Sequence, residues 1–452
     1  MDVMEHRHPG GDRSQCQLCR NNIPFDLPTE LYEAVLNGSL VVFAGAGVST
    51  ESNIMPVRPL YDEVCSSLRI KQATAPPFPD LMSAFSIKFG RGALLRKIKE
   101  HFDYIRSFSE LYGLATRFHH ELATIFPIGE IITTNWDDYF ERECGATPFV
   151  TADDFAFWNL PRRKVMKIHG SVNAFGSIVA TREDYEPCYR RLSRGLLGSS
   201  LKMALATKTL LYVGFSFRDD DFARIHRLLM REMRRTMPRS YLVTVDRAFD
   251  SQITDLGVQP IHTDATFFLS RLKKRLVADK HMIADARYDV IPAFYARAVR
   301  AHGKVSALSF KKYPDIMYCL AYQDGLKHAL ARIMTFKATG DYSDTWKSAR
   351  TIASYSDKVR PEKLRAHAYP TVAYVDGYIN GHLYFALPDK QRSRCPLYYV
   401  FGCRDDLGSY ADFKRALRDA ARFHRAAHAF AMQFVRHGKI EEGIQFHHPP
   451  VF

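Results

Sequence analysis

The sequence predicts an α/β protein: a parallel sheet with helices inserted between its strands, followed by a smaller mixed α/β domain at the C-terminal end. Three observations carry that prediction. Leu40 to Ala44 is an apolar run that does not alternate, as in a strand buried on both faces of a parallel sheet. It runs straight into Gly45-Ala46-Gly47, where two glycines allow a sharp turn, with Ser49 and Thr50 following as candidate caps for a short helix. The same order, an apolar strand and then a polar or glycine-bearing loop, recurs at Ile131–Thr134, Lys164–Ile168 and Thr209–Val213. The first loop is half of a Rossmann-like dinucleotide fingerprint, with bare N–H groups able to approach a phosphate. Thr50 stands where the third small residue belongs, and the acid expected about 20 residues on has no clear candidate. Alone, the loop reads equally as a tight strand-to-helix turn.

At 452 residues the chain exceeds one ordinary core, so two domains are expected. Apolar residues at 46% and aromatic residues at 13% are enough to build packed interiors. No apolar run approaches the about 18 residues of a membrane helix, and no apolar signal segment opens the chain, so no membrane partner and a cytoplasmic location are expected. The eight cysteines are spread thinly, as reduced thiols are, rather than as a disulfide framework. Cys16 and Cys19 form the one Cys-x-x-Cys, with His6 and His8 upstream as further possible zinc ligands. A flexible leader over residues 1–27 is the better reading, because so short a segment supplies nothing to orient the ligands. Residues 286–452 hold 26 Lys and Arg against 15 Asp and Glu, a surplus of eleven, which leaves +3 of the formal +14 for residues 1–285. That asymmetry suggests different partners for the two halves.

In chain order, Thr29 is expected to cap a helix to about Leu36, ended by Asn37-Gly38. After a helix to about Ile70 and the Pro76–Pro79 break, helical patterns cover Leu81–Phe102 and Ser109–Phe126. The latter holds His119 and His120, read as surface histidines without a role. Ser177–Thr181, Tyr241–Val245 and Val258–His262 read as further strands, Asp219-Asp220-Asp221 as the opening of a helix, and Ala265–Ala278 as the closing helix. Four strands should then end in loops bearing Gly45, Gly47 and Ser49; Asn135 and Asp137; His169; and Gly214 and Ser216. Ligands of open parallel sheets bind beyond the carboxyl ends of the strands, where strand order switches. Polar residues recurring at that rim are poorly explained by packing, so they define a candidate site.

The blocks FAGAGVS (Phe43–Ser49), ITTNWDDYFE (Ile132–Glu141), KIHGS (Lys167–Ser171), IVATREDY (Ile178–Tyr185) and LLYVGFSFRDDDF (Leu210–Phe222) resemble, in order and spacing, the sirtuin family. The likeness covers about residues 28–280 and is to the divergent bacterial branch of NAD-consuming defence effectors more than to the protein deacylases. It implies a sirtuin-like NAD-binding catalytic domain in which Gly45, Ala46, Gly47 and Ser49 hold the NAD phosphates and adjoining ribose. Asn135 and Asp137 would sit at the nicotinamide ribose, His169 would be the catalytic histidine, and Gly214 and Ser216 would line the adenosine side. Arg58 and Thr134 would be further NAD contacts. In place of the family's Gly-Ile-Pro-Asp-Phe-Arg, this chain has Asn53-Ile54-Met55-Pro56-Val57-Arg58, so Pro56 and Val57 replace a carboxylate and an aromatic lid. The two Cys-x-x-Cys pairs of the deacylase zinc module are absent between His169 and Gly214, where only Cys188 occurs, so no metal is expected there.

The bond from ribose to nicotinamide breaks through an oxocarbenium-like state whose leaving group needs no protonation. An ionised Asp137 would favour the developing charge, Asn135 would hold water or a ribose hydroxyl, and His169 would take a proton near neutral pH. The expected activity is NAD hydrolysis to nicotinamide and ADP-ribose, the alternatives being a deacylase and a non-catalytic NAD or ADP-ribose sensor. The resemblance also implies an oligomer and an activating phage component or companion defence protein.

Residues 286–452 carry no recognised motif. Tyr288–His302 and Met317–Phe336 read as helices, Thr371–Leu387 as strands turning at Asn380-Gly381, and Leu397–Phe401 as another strand. Tyr410–Arg436 reads as one long helix with Phe413, Leu417, Ala420, Phe423, Ala427, Phe430 and Phe434 inward. Its Lys414, Arg418, Arg422 and Arg425 form a basic face, either simply solvated or suited to nucleic acid or an acidic partner. A sensing or assembly role is expected here, since an NAD-destroying enzyme must be held in check.

Overall fold

The computed structural model describes residues 16–52, 54–214, 238–247, 250–358, 368–392, 395–405, 407–437 and 447–448. The chain forms two compact units that part between Arg275 and Leu276. Among the described residues, no helix is long and apolar enough to cross a membrane.

The first unit is built on a parallel sheet of order β3-β4-β2-β1-β5-β6-β7. Its strands are β1 Leu40–Ala44, β2 Glu130–Thr133, β3 Thr147–Phe149, β4 Lys164–Lys167, β5 Thr209–Val213, β6 Ser240–Thr244 and β7 Val258–His262. All five β1 residues are buried, as its unbroken apolar run requires of a central strand. From β1 the chain adds β2 beside it, forms β3 at the edge and comes back to lay β4 between the two, then crosses to β5 on the other side, which puts the switch in strand order at β1. Ala44 pairs with Thr133 and with Val213, and Thr133 pairs with Lys167, so these four strands end level.

Several local readings change. Ser177–Thr181 joins no ladder: Phe175–Ser177 is a 3-10 turn, and Thr181 forms a capping box with Asp184 at the start of the helix Arg182–Arg194. The Asp184 carboxylate collects the N–H groups of Ala180 and Thr181 at 3.0 and 2.9 Å, which leaves them unavailable to a sheet. The edge strand β3, unanticipated, carries Pro148, a residue tolerated at an edge. The 81–102 pattern is two helices, Phe78–Phe89 and Arg91–Ser107, because Gly90 at φ 90° breaks the ladder. Ser109–Ala115 and Arg117–Ala123 likewise divide, and Thr29 is the first residue of its helix rather than its cap. His119 is fully buried beside Phe140, not at the surface, whereas exposed His120 faces Glu143. The helix expected from Asp219-Asp220-Asp221 lies outside the described residues.

The second unit corrects the mixed α/β expectation: its described residues form helices and no strand. Its centre is Ile316–Thr335, buried on all sides from Ile316 to Leu326. Tyr369–Ala386 is one helix through the expected Asn380-Gly381 hairpin. Thr371, Val372, Val375 and Ile379 favour a strand by composition, but the glycines decide otherwise. A Cβ on Gly325 would come to 1.9 Å from the Tyr374 carbonyl oxygen, and one on Gly377 to 1.8 Å from that of Tyr322. The two helices therefore meet backbone to backbone, a contact only glycine permits. Leu397–Phe401 runs without ladder partners, and the expected long helix is three: Tyr410–Arg418, Ala420–Phe423 and Arg425–His437. Phe413, Leu417, Ala420 and Ala427 are buried as expected.

Two outcomes follow from this packing. Gly325→Ala should cost about 1–3 kcal/mol in denaturant melts, whereas Gly303→Ala, with nothing within 4 Å of its added methyl, should be neutral or stabilising by up to about 1 kcal/mol. Equal effects would contradict the close helix contact. Burial pushes the His119 imidazole down to about 3 from 6.5. Between those values the unfolded chain binds the extra proton, so stability present above pH 6.5 is lost as pH falls through the window. His119→Leu should thus move the acid-unfolding midpoint to lower pH, and an unmoved midpoint would show that His119 does not resist protonation.

Candidate functional site

The sheet brings its loops together at the level edge. The Gly45 N–H donates to the Val213 carbonyl at 3.0 Å, and the Gly47 N–H donates to the Gly214 carbonyl at 3.0 Å. The first glycine loop, carrying the one-turn 3-10 helix Ala46–Val48, is thus laced to the loop after β5. Gly214 has φ 55°, and a Cβ on it would come to 2.4 Å from the Val48 nitrogen. One function of these glycines is therefore to let two loops touch, while Gly47 itself stays exposed.

From β2, the Thr133 hydroxyl donates to the Ala44 carbonyl at 2.9 Å and accepts the Asn135 N–H at 3.0 Å, which turns the chain as the strand ends. The half-buried Thr134 adds an N–H bond to the Ala44 carbonyl at 3.4 Å. Asn135 Nδ2 donates to the Gly45 carbonyl at 3.2 Å and to Ser49 Oγ at 3.4 Å, and Ser49 Oγ donates to Asp137 Oδ2 at 3.2 Å. Asn135 is 6% exposed, and Ser49 and Asp137 are each 1%. Asn135 Oδ1 is buried and accepts no hydrogen bond. An amide held by its nitrogen, with its oxygen unused by the protein, is an acceptor fixed in place.

Asp137, expected as an ionised group at the ribose, is a buried acceptor whose two oxygens both meet protein donors. Its other oxygen accepts the Tyr139 N–H at 3.2 Å, at the start of the helix Tyr139–Cys144. Burial lifts its carboxyl above the ordinary range, against the pull of nearby Lys167. Lys167, fully buried, donates its ammonium to the Asp137 carbonyl and meets Glu141 Oε1 at 3.2 Å.

On the neighbouring strand the Ile168 N–H donates to the Thr133 carbonyl at 2.9 Å, so His169 lies as far beyond β4 as Asn135 lies beyond β2. His169 is buried, with its ring edge-on to Tyr185 at 5.4 Å, and its carbonyl accepts the Val179 N–H. Gly170 follows at φ 88°, where a Cβ would lie 2.2 Å from the Ser177 carbonyl oxygen. That close approach explains the His-Gly order.

The structure thus gathers Gly45, Ser49, Asn135 and Asp137 into one hydrogen-bonded cluster, laces Gly47 to Gly214, and sets His169 at the same level. Arg58 is not in the cluster: it is exposed and donates to Ser66 Oγ at 3.0 Å. With Pro56, Val57, Glu63, Lys97 and His101 it lines a cavity of about 550 Å³. Ser216 lies outside the described residues. Sequence reasoning missed Thr133, Tyr185, Lys167, Glu141 and Arg163, the last of which donates to the carbonyls of Ala123, Ile125, Ile128 and Cys144. The signal was available for Lys167, a charge set between apolar Met166 and Ile168, since a buried charge requires partners.

A level parallel sheet with backbone N–H groups, an amide, a carboxyl and an imidazole at its carboxyl edge defines the Rossmann-like class of α/β domain. Residues 129–261 match the SIR2-like domain family, and the chain carries a SIR2-like domain. Among curated proteins it is similar to the NAD(+) hydrolase ThsA of Enterococcus faecium, 29% identical over 43% of this chain and 40% of the relative. The NAD(+) hydrolase ThsA of Cytobacillus dafuensis is 28% identical over 43% of this chain and 39% of its own. Defense-associated sirtuin 2 of Bacillus subtilis is 20% identical over 65% of this chain and 28% of its own. The chain therefore spans two fifths or less of the length of these relatives.

Lys167→Met should cost about 3–5 kcal/mol in denaturant unfolding, by leaving Glu141 beside a buried apolar group, and the added Glu141→Gln should recover much of that. A single variant as stable as the parent would show that the ammonium does not hold the Asn135–Asp137 loop.

Proposed function

We propose that the SIR2-like unit hydrolyses NAD at the nicotinamide–ribose bond, releasing nicotinamide and ADP-ribose with water as acceptor, and serves as an NAD-depleting effector against phage. The observation that carries the reading is Asn135 Oδ1, buried and accepting no hydrogen bond from the protein, set among Gly45, Ser49 and Asp137 where the strand order switches. The names of the relatives, two NAD(+) hydrolases and a defense-associated sirtuin, support the substrate and the setting.

Nicotinamide leaves NAD as a neutral molecule from a cation, so the protein need not protonate it. The remaining tasks are to orient the ribose, favour positive charge on it and activate water. Asn135 suits the first two tasks: its amide is already fixed by Gly45 and Ser49, so its oxygen dipole can face a ribose hydroxyl or water without reorganising. His169 takes the proton from the ribose hydroxyl or the attacking water. Asp137 is a positioning residue that holds Ser49 and the loop, since both of its oxygens already accept bonds from the protein. Gly45, Ala46, Gly47 and Gly214 would face the phosphates and adenosine, and Thr134 the ribose. The second unit senses the trigger or assembles an oligomer, and its exposed Lys414, Arg418, Arg422 and Arg425 favour contact with phosphates or an acidic partner.

Purified full-length chain, given NAD and extract from infected cells, should release nicotinamide without any acylated peptide. Asn135→Ala and His169→Ala should each lower that release by about 10²–10⁴-fold. Undiminished release from both variants would overturn the assignment, and release that needs an acetylated peptide would favour a deacylase.

A further inference from the structure

The second unit holds a cluster of groups that the proposed reaction does not use. His302 lies on the helix Ile291–Ser306 and Asp324 in the buried part of Ile316–Thr335, while His447 comes from the short segment 447–448. The side chains of His302 and Asp324 are 7% and 3% exposed, and that of His447 is 52% exposed. His302 Nε2 and His447 Nδ1 each lie 3.4 Å from Asp324 Oδ1, and the three atoms lie within 4.8 Å of one another. The two imidazoles stack nearly parallel, with centroids 5.1 Å apart.

We propose that His302, Asp324 and His447 bind a divalent transition-metal ion of the zinc type. The distances favour this over a simple hydrogen-bonded triad. His447 Nδ1 makes one long hydrogen bond to Oδ1 and His302 Nε2 makes none, each at 3.4 Å, a separation beyond the usual about 2.7–3.2 Å of an N–H···O bond. It matches the about 3.4 Å edge of a tetrahedron with metal–ligand bonds of about 2.0–2.1 Å. His302 Nε2 is buried and has no hydrogen-bond partner, although it lies 3.4 Å from the shared carboxylate oxygen. The other carboxylate oxygen, Oδ2, is held by the His448 N–H at 2.8 Å, which orients Oδ1 toward the imidazoles. Two imidazoles with one carboxylate suit zinc and its transition-metal neighbours rather than magnesium or calcium, which prefer all-oxygen sites.

The Lys327 ammonium also lies 2.9 Å from Asp324 Oδ1. It stands in for the cation: the site already stabilises a positive charge, and a flexible lysine, 16% exposed, can swing away as the metal enters. Water would complete the fourth position. Binding would pin the segment bearing His447 to the helices bearing His302 and Asp324.

The test uses untagged full-length protein carrying Cys16→Ser and Cys19→Ser, which remove the two thiols of the other candidate zinc site. After dialysis against a chelator, it is titrated with zinc chloride by calorimetry and melted with and without zinc. One zinc per chain should bind and raise the melting temperature. His447→Ala and His302→Gln should each weaken binding by at least about tenfold, and Lys327→Met should tighten it severalfold. No binding at 100 µM-scale zinc, parental affinity in both histidine variants, or an equal shift with magnesium would each overturn the proposal. If His302→Gln fails to fold, His447→Ala decides alone, because that side chain is half-exposed.

Discussion

Ala44, Thr133, Lys167 and Val213 stand side by side where four parallel strands stop, and this shared level is the constraint on which the candidate site depends. Parallel ladders space their hydrogen bonds evenly, so strands paired in register release their loops at one edge. The Ala44 carbonyl accepts from both Thr133 Oγ1 and the Thr134 N–H, so β1 and β2 end together. Gly45 and Gly47 extend the same lacing to Val213 and Gly214. A slip of one residue would turn alternate side chains to the opposite face and separate Asn135 from Ser49.

Beneath that edge the unit keeps charges where apolar side chains would be the simpler choice. Lys167 is fully buried and Arg163 nearly so, each satisfied by carbonyls or a carboxylate of the surrounding loops. Buried charges seldom add net stability against well-packed apolar residues of the same volume, because desolvation offsets most of the attraction. What they supply is geometry. Arg163 joins four loop carbonyls that no strand could reach together, and Lys167 holds the backbone of the residue that positions Ser49. Asp324 follows the same rule in the second unit: burial raises its carboxyl, but neighbouring His302, the Lys327 ammonium and the bond from the His448 N–H outweigh that and hold it well below the carboxylate range.

The two units are organised by different close approaches. In the first, glycines at strand ends let loops touch loops; in the second, Gly325 and Gly377 let helix touch helix. Valine, isoleucine and tyrosine between Tyr369 and Ala386 look like strand formers because they suit a pleated, half-buried surface. A helix packed against a buried neighbour satisfies them equally well, and each added backbone contact rests on a glycine across the interface. Composition over a short window could not separate these cases, and tertiary packing did.

What the sequence by itself determined is the run of strand, loop and rim residue. The apolar run at Leu40–Ala44, the β-branched run before Asn135 and the strand before Gly214 each dictate a buried strand, and their polar followers must then fall at one edge. Ser49, Asn135 and His169 were legible for that reason. Only the tertiary structure decided which of these groups touch, that Asp137 is buried and bonded to Ser49, that Arg58 lies elsewhere, and that the described part of the C-terminal unit is helical. The physical reason is range: strand propensity and turn chemistry act over a few residues. Desolvation, ion pairing and glycine-mediated contact depend on partners about 20 to 100 positions away, which no local window contains.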